Sequence, residues 1–228
     1  QGVNACYKND FLGGIGDFGC YSFHGSKNYI SGEGGALVLN NCSRSIKNRA
    51  EIIREKGTNR TRFLRGEIDK YTWVDKGSSY LPSDLLMAVL YSQLKEMDDI
   101  KSKRERKYIK YRNKLKPFLN FSFIDNISEI PENRNSNYHI FYIKFKKNRI
   151  RDIVLNKLQN RGISASFHYI PLHSSPMGKK LGYKPEDLDF TREVGATILR
   201  LPLYPELKEK QLIYILENIE EIFKDIEK

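Results

Sequence analysis

The stretch that decides the fold is residues 20–40, CYSFHGSKNYISGEGGALVLN. Residues that favour β structure lie at both ends of this stretch, in DFGCYSF (residues 17–23) and GALVLN (residues 35–40), and predict two short strands. Lys27 lies in the loop between them, followed by Gly32, Gly34 and Gly35, which have no side chains to block a flat ligand. A lysine amine held against a cofactor can form a Schiff base. Spacing alone does not separate this role from that of a surface lysine in a hairpin.

The segment just before the hairpin, residues 14–19 (GIGDFG), matches the dinucleotide-binding pattern G-x-G-x-x-G. That pattern binds a dinucleotide only between a strand and a helix. Here a polar, turn-rich segment precedes it and the predicted strand CYSF follows it. We therefore interpret it as a connection and not as a dinucleotide site.

The bulk composition is that of a globular chain with a surplus of positive charge. Hydrophobic residues make up 39% of the 228 residues, and the formal net charge is +11. Such a surplus favours an anionic partner: nucleic acid, an acidic membrane surface or a phosphorylated small molecule. The longest apolar run, residues 85–91, is too short to span a bilayer, and no signal peptide is apparent. The three cysteines, widely spaced, predict neither disulfides nor a metal site, but free buried thiols in a reducing cytoplasm.

The distribution of helical patterns predicts two domains. Residues 43–56 are predicted to form a helix that ends near Gly57, and residues 58–82 a long ordered loop. Ser83 is expected to cap a long helix that begins apolar and becomes strongly basic. This change of composition suggests a helix that leaves one core and enters another. We therefore predict a first domain over residues 1–112 and a second over residues 113–228.

The second domain is predicted to be a small α/β unit. YHIFYIKF and ISASFHYI have the pattern of strands, and residues 149–160 that of an amphipathic helix. A last helix from about residue 208 carries its apolar side chains on one face: Leu212, Ile215, Leu216, Ile219, Ile222, Phe223 and Ile226. Strands that alternate with helices favour this architecture.

Several motifs in order resemble the DegT/DnrJ/EryC1/StrS family of sugar aminotransferases. The family pattern has a serine five residues before a lysine, an S/T-K-N step, then G-E-G-G and a strand, and SFHGSKNYISGEGGALVLN fits it. FHYIPLH and LRLPLYPEL extend the likeness over nearly the whole chain. The resemblance implies the α/β fold type I of pyridoxal-phosphate-dependent transferases. The chain would be the C-terminal part of the large domain plus the small domain.

The resemblance also assigns roles to residues. Lys27 would be the Schiff-base lysine and the general base, Ser22 would bind the phosphate of pyridoxal 5'-phosphate, and Gln1 would contact its ring hydroxyl. His168 and Tyr169 would contact the substrate, and His173 is expected to join them. Each histidine fits an ordinary structural role about equally well.

One departure concerns the phosphate contact that family members receive from the partner subunit. GSSYLPSD stands where many members have an asparagine, with Leu81 at that position, so Ser78 or Ser79 is a candidate substitute. Four neighbouring basic residues could bind a nucleotide diphosphate through charge-assisted hydrogen bonds: Arg54, Lys56, Arg60 and Arg62. For any one of them, a solvated basic surface is the stronger interpretation.

The implied reaction transfers the amino group of glutamate to a nucleotide-linked keto-sugar, with dTDP-4-keto-6-deoxyhexose as the expected acceptor. The branch that makes dTDP-4-amino-4,6-dideoxygalactose is favoured, which implies a role in surface polysaccharide, lipopolysaccharide or enterobacterial common antigen biosynthesis. The resemblance further implies a cytoplasmic homodimer with active sites at the interface, and no nucleic-acid or membrane partner.

Three alternatives stay open. Family dehydratases carry histidine in place of the lysine, so Lys27 argues against that reaction. A nucleic-acid-binding module built on the basic helix would need a groove-reading motif or stacking aromatics, and the sequence has neither. Because the chain begins at the glutamine of the family's E-D-A-A-Q segment, the third expectation is a truncated fragment that is inactive alone.

Overall fold

The computed structural model describes every residue from Gln1 to Lys228, and the contacts within the chain divide it into two units. The first unit contains Gln1–Met97 and Asn133–Asn137, and the second contains Asp98–Glu132 and Tyr138–Lys228. The sequence placed the boundary at residue 112, about one helix later.

The elements follow one another in mixed order along the chain. The strands are β1 (Cys6–Tyr7), β2 (Asp10–Phe11), β3 (Phe18–Ser22), β4 (Gly35–Leu39), β5 (Ile124–Ile127), β6 (Arg134–Asn135), β7 (Phe141–Phe145), β8 (Ser166–Phe167) and β9 (Ile198–Leu201). The α-helices are α1 (Arg44–Arg54), α2 (Arg60–Leu64), α3 (Asp84–Lys95), α4 (Met97–Leu115), α5 (Asn148–Asn160), α6 (Pro176–Lys180), α7 (Asp189–Thr197) and α8 (Glu209–Glu227). Short 3₁₀ helices cover Lys116–Asn120, Leu172–Ser174 and Pro185–Leu188.

The first unit is organised around the predicted hairpin. Strands β3 and β4 pair antiparallel with Ser22 opposite Gly35, which confirms both strands. A Cβ at Gly35 would lie 2.5 Å from the carbonyl oxygen of Tyr21, so the close approach of the strands requires glycine there. Turns and bends precede β3 and no helix follows the GIGDFG segment directly, so its interpretation as a connection is confirmed.

The predicted cap of α3 is confirmed, whereas three other expectations differ from the structure. The side chain of Ser83 accepts the N–H of Leu86 at the start of α3. The helix expected over residues 43–56 ends at Arg54 with Glu55 as its C-cap, so Gly57 does not cap it. The expected single long helix is wrong, because Glu96 takes φ −97° and ψ 17° and separates α3 from α4. The loop expected over residues 58–82 contains the short helix α2.

The second unit is an antiparallel sheet with helices packed on it, in the order β5-β7-β9-β8. The face of α8 predicted to be apolar is buried from Leu212 to Phe223, which confirms that pattern. Tyr108, Tyr111 and Leu115 of α4 lie in the same core. Their burial explains why α4 groups with the second unit, whereas the sequence assigned most of it to the first.

Two further expectations concern the surface. Cys20 is exposed because it alternates with the buried Gly19 along β3, and Cys6 and Cys42 are only partly buried, so the prediction of buried thiols is wrong. No helix combines the length and the apolar character needed to cross a bilayer.

Candidate functional site

Lys27 sits in a tight turn that extends the hairpin. Its N–H donates to the carbonyl of His24 at 2.9 Å, and the N–H of Gly25 donates to the carbonyl of Gly32 at 2.9 Å. The Lys27 side chain is half-buried, and its amine has no hydrogen bond or ion pair with the chain. Gly32 needs the left-handed conformation (φ +89°), and a Cβ at Gly25 would meet no atom within 4 Å. The turn therefore carries an unpaired amine next to a glycine with open space around it.

The residues after Lys27 anchor the turn in the first unit. Tyr29 is 1% exposed, and its hydroxyl donates to the carbonyl of Met97 at 3.3 Å. Asn28 is buried and donates from Nδ2 to the carbonyl of Asn137 at 2.6 Å. Buried side chains with these bonds fix the backbone on one side of Lys27.

Asn137 ties the start of the chain to the same place. Its Nδ2 donates to the carbonyl of Gln1 at 2.5 Å and to that of Val3 at 2.9 Å. Desolvation lowers the pKa of the Gln1 amino group, and the positive charge of Lys27 lowers it further. The structure therefore brings Gln1 and Lys27 together within one unit.

Ser22 closes β3, five residues before Lys27. Its Oγ accepts the N–H of His24 at 3.4 Å, which leaves its own proton free to donate. The ring of His24 accepts the N–H of Ser26 at 3.2 Å and lies 3.9 Å from the carboxylate of Glu33. These local bonds stiffen the turn and leave the hydroxyl of Ser22 and the amine of Lys27 available.

His168 and Tyr169 follow β8 in the second unit. The expected strand ISASFHYI pairs only at Ser166 and Phe167. The pairing is antiparallel and β9 begins at Ile198, directly after α7, so little of β9 remains opposite His168, and Pro171 cannot donate to a ladder. The two rings are 5.7 Å apart in an edge-on arrangement, and Tyr169 is 72% exposed. Burial lowers the pKa of His168, and the charge of Arg200 lowers it further.

His173 lies in the 3₁₀ helix that follows. It is buried, and its Nε2 has no hydrogen-bond partner, nor has the Oγ of Ser174 beside it. Groups of this kind are uncommon in packed interiors and mark places where a further partner would be favourable. The structure thus places the six predicted site residues in two groups, three in each unit.

Three of the four basic residues considered for a diphosphate, all of them arginines, already have acidic neighbours. Nη2 of Arg54 and Nη1 of Arg60 lie 3.5 Å and 4.0 Å from Oε1 of the buried Glu55. Arg62 pairs with Glu67 at 3.1 Å. These contacts fit a structural ion-pair cluster and lend no support to a diphosphate contact by Arg54, Arg60 or Arg62.

Sequence reasoning missed the residues that hold the site. The S-K-N step contained Asn28, but no pattern pointed to Asn137, which lies far along the chain and contributes both its amide and its carbonyl. Arg200 lies within LRLPLYPEL, and the feature of the sequence that could have pointed to it is an arginine in an otherwise apolar strand. No group of three His, Cys, Asp or Glu side chains is placed to hold a metal ion.

Comparison with known proteins gives a family for nearly the whole chain. The sequence profile of the DegT/DnrJ/EryC1/StrS aminotransferase family matches residues 1–220. That family is pyridoxal-phosphate-dependent.

Two curated relatives carry informative names. A dTDP-4-amino-4,6-dideoxy-D-glucose transaminase of Shigella dysenteriae is 29% identical over 210 residues, which is 91% of this chain and 53% of that protein. A GDP-perosamine synthase of Escherichia coli O157:H7 is 25% identical over 224 residues, which is 96% of this chain and 55% of that protein. The chain spans about half the length of the curated relatives it matches.

Solved structures share the fold. The PMP form of the putative sugar aminotransferase Spr1654 from Streptococcus pneumoniae superposes with a TM-score of 0.86 at 20% identity, over 98% of this chain and 57% of that one. Its PLP form gives 0.85 at the same identity, over 98% and 56%. The likeness establishes the fold type I architecture for this chain.

Proposed function

The chain belongs to the DegT/DnrJ/EryC1/StrS aminotransferase family, and we propose that the protein transfers the amino group of glutamate to the keto carbon of a nucleotide-linked sugar. The observation that carries the proposal is the turn at Lys27: the buried Asn28 and Tyr29 anchor its backbone, and the half-buried lysine has an amine with no partner in the chain. An amine held in this way suits covalent attachment of an aldehyde cofactor.

The residues of the first unit fit pyridoxal 5'-phosphate. Lys27 has the free amine for its aldehyde, and Ser22 has a hydroxyl proton that no acceptor in the chain uses. Gln1 is tied to the same region through Asn137, and we assign its side chain to the ring hydroxyl. The bound cofactor supplies an electron sink. Lys27 then moves the proton at the carbon that carries the amine.

The acceptor is proposed to be dTDP-4-keto-6-deoxyhexose, contacted by His168, Tyr169 and His173. The name of the Shigella relative, a dTDP-4-amino-4,6-dideoxy-D-glucose transaminase, supports the nucleotide and the 4-amino position. The product favoured by the sequence motifs, dTDP-4-amino-4,6-dideoxygalactose, is the C4 epimer of the sugar named there. Either product suits surface polysaccharide or lipopolysaccharide biosynthesis.

We also propose that the protein acts as a homodimer in the cytoplasm. Four large apolar side chains of the first unit are exposed: Trp73 (75%), Tyr80 (66%), Leu85 (81%) and Tyr91 (65%). An exposed apolar surface of this kind commonly marks an interface. Light scattering of the protein at its natural length should give twice the mass of one chain, and a monomer at micromolar concentration would contradict the dimer.

Isotope transfer tests the reaction. The protein at its natural length, loaded with pyridoxal 5'-phosphate, is given ¹⁵N-glutamate and the 4-keto-sugar nucleotide. We expect ¹⁵N at C4 of the product by NMR, and the configuration at C4 then distinguishes the two epimers. Loss of water from the sugar without uptake of ¹⁵N would show a dehydratase instead.

Substitution of the lysine tests the site. Lys27→Ala should lower turnover by about 10²–10⁴-fold or more, because a positioned acid–base group contributes that much and the covalent bond is lost as well. Lys47→Ala, on the exposed surface of α1, is the control and should keep normal turnover. Normal turnover by Lys27→Ala would refute the assignment.

A further inference from the structure

Arg200 on β9 carries a charge that nothing in the chain neutralises. Its Nη2 donates to the carbonyl of Phe167 at 3.1 Å, and its guanidinium lies 5.5 Å from the ring centre of Tyr169. Its Nε is buried and has no acceptor, and no carboxylate lies within ion-pair distance of the group. The side chain is only partly exposed to solvent.

Arg151 of α5, which lies near the ring of Phe167, shows the contrast. Arg151 lies 6.0 Å from the ring centre of Phe167 in a similar stacked position, but its Nε is 2.7 Å from a carboxylate oxygen of Asp152. Both arginines thus lie over aromatic rings, and only Arg200 lacks an acid.

The acidic groups on the helix packed against β8 are already bound elsewhere. On α7, Glu193 accepts from Lys144 at 2.7 Å, and Asp189 accepts from Arg192 at 2.6 Å. A cation that is partly removed from water is unfavourable unless an anion or several acceptors compensate it. The ring of Tyr169 attracts the guanidinium but leaves its net charge unchanged.

A second observation at the same place shows the effect of this charge. The Nδ1 of His168 is buried without a partner, and the proximity of Arg200 adds to burial in lowering the pKa of its imidazole. The end of β8 therefore has a surplus of positive potential, with Tyr169 exposed beside it.

We infer that Arg200 binds an oxyanion of the substrate, a carboxylate or a phosphate, next to the ring of Tyr169. The identity of that substrate rests on the proposed function, in which glutamate brings carboxylates and the sugar nucleotide brings a diphosphate. A guanidinium suits both groups because its paired N–H donors match two oxygens of either anion. Arg200 is thus a specificity-determining residue in addition to His168 and Tyr169.

Calorimetric titration tests the site with three separate probes: glutamate, inorganic phosphate and dTDP. Arg200→Gln should weaken binding of at least one probe about ten- to a hundredfold, since a hydrogen bond to a charged group contributes roughly that much. Arg200→Lys keeps the charge and should lose less. Arg192→Gln removes an exposed arginine of the same unit and should change nothing.

The three probes also separate the sources of the anion. An effect confined to glutamate assigns a carboxylate, and an effect on phosphate and dTDP assigns the diphosphate. Unchanged affinity of Arg200→Gln for all three probes would overturn the inference.

A measurement on the unaltered protein avoids any question about folding of the variant. The C2 proton of His168 is followed by NMR across pH with and without the anion that binds. A bound anion offsets the charge of Arg200, so the pKa of His168 should rise when it is added. An unchanged His168 titration at a saturating concentration of the probe would place the anion elsewhere and refute the site.

The outcomes are independent of the proposed reaction. If no amine reaches the sugar but binding still depends on Arg200, the proposed function fails and the anion site stands. If amine transfer proceeds and Arg200→Gln leaves the KM of both substrates unchanged, the function stands and the anion site fails.

Discussion

At the scale of single residues, the site depends on a few amide side chains that fix the turn at Lys27. Asn137 donates to the carbonyls of Gln1 and Val3 and accepts from Asn28, so one residue joins three segments of the first unit. From the sequence, the motif predicted Lys27 and Ser22 as site residues. It could not identify Asn137, because hydrogen bonds between residues more than a hundred positions apart leave no local pattern.

Removal of the Asn137 amide should loosen the turn. Asn137→Ala removes the amide that donates to the partly buried carbonyls of Gln1 and Val3, so we expect the free energy of unfolding to fall by about 1–3 kcal/mol. Hydrogen exchange at residues 23–31 should accelerate. Asn126→Ala, at an exposed position of β5, is the control. Unchanged exchange in the turn would show that Asn137 does not support it.

The lowered pKa of His168 predicts how stability depends on pH. Because the folded state binds the proton more weakly than the unfolded chain, whose pKa is about 6.5, protonation favours unfolding. The contribution of neutral His168 to the free energy of unfolding is therefore fully present above pH 6.5 and is lost as the pH falls below that value. Urea titrations of wild type and His168→Gln between pH 5 and 8 test this, because the variant should show a smaller loss of stability towards acid. Parallel curves would contradict it.

At the scale of elements, periodicity predicted the helices well where one face is apolar. The face of α8 from Leu212 to Phe223 is buried as expected, because its spacing follows the helical repeat without interruption. The junction of α3 and α4 was missed because Glu96 is a good helix former and only its backbone dihedral angles reveal the break. The strand around Phe167 was predicted too long because its length depends on the partner β9.

A pair of variants on α8 measures the packing of that face. Ile219 is fully buried, so Ile219→Ala should lower the free energy of unfolding by about 2–5 kcal/mol through lost contacts and a cavity. Ile213 on the same helix is 41% exposed, and Ile213→Ala should cost much less. Chemical denaturation compares the two. Equal losses would mean that the apolar face does not stabilise the second unit.

At the scale of the whole molecule, composition suggested two domains with a boundary at residue 112, whereas the contacts within the chain divide it after Met97. The basic surface of α4 concealed the fact that Tyr108, Tyr111 and Leu115 lie in the core of the second unit. A one-dimensional pattern cannot show which core a helix joins when its apolar stripe is narrow.

This assignment predicts which C-terminal fragment folds. Residues 98–228 should form a cooperatively folded fragment, whereas residues 116–228 should not, because the shorter one exposes the core that α4 covers. Circular dichroism melting distinguishes them. Equal cooperativity in both would support the boundary near residue 112.

We propose that Lys27 is the lysine that binds the cofactor. The protein at its natural length is incubated with pyridoxal 5'-phosphate, reduced with borohydride and digested for mass spectrometry. We expect the phosphopyridoxyl group on the peptide that contains Lys27, and its loss when glutamate is added before reduction. A label on another lysine, or none at saturating cofactor, would show that Lys27 is not the lysine that binds the cofactor.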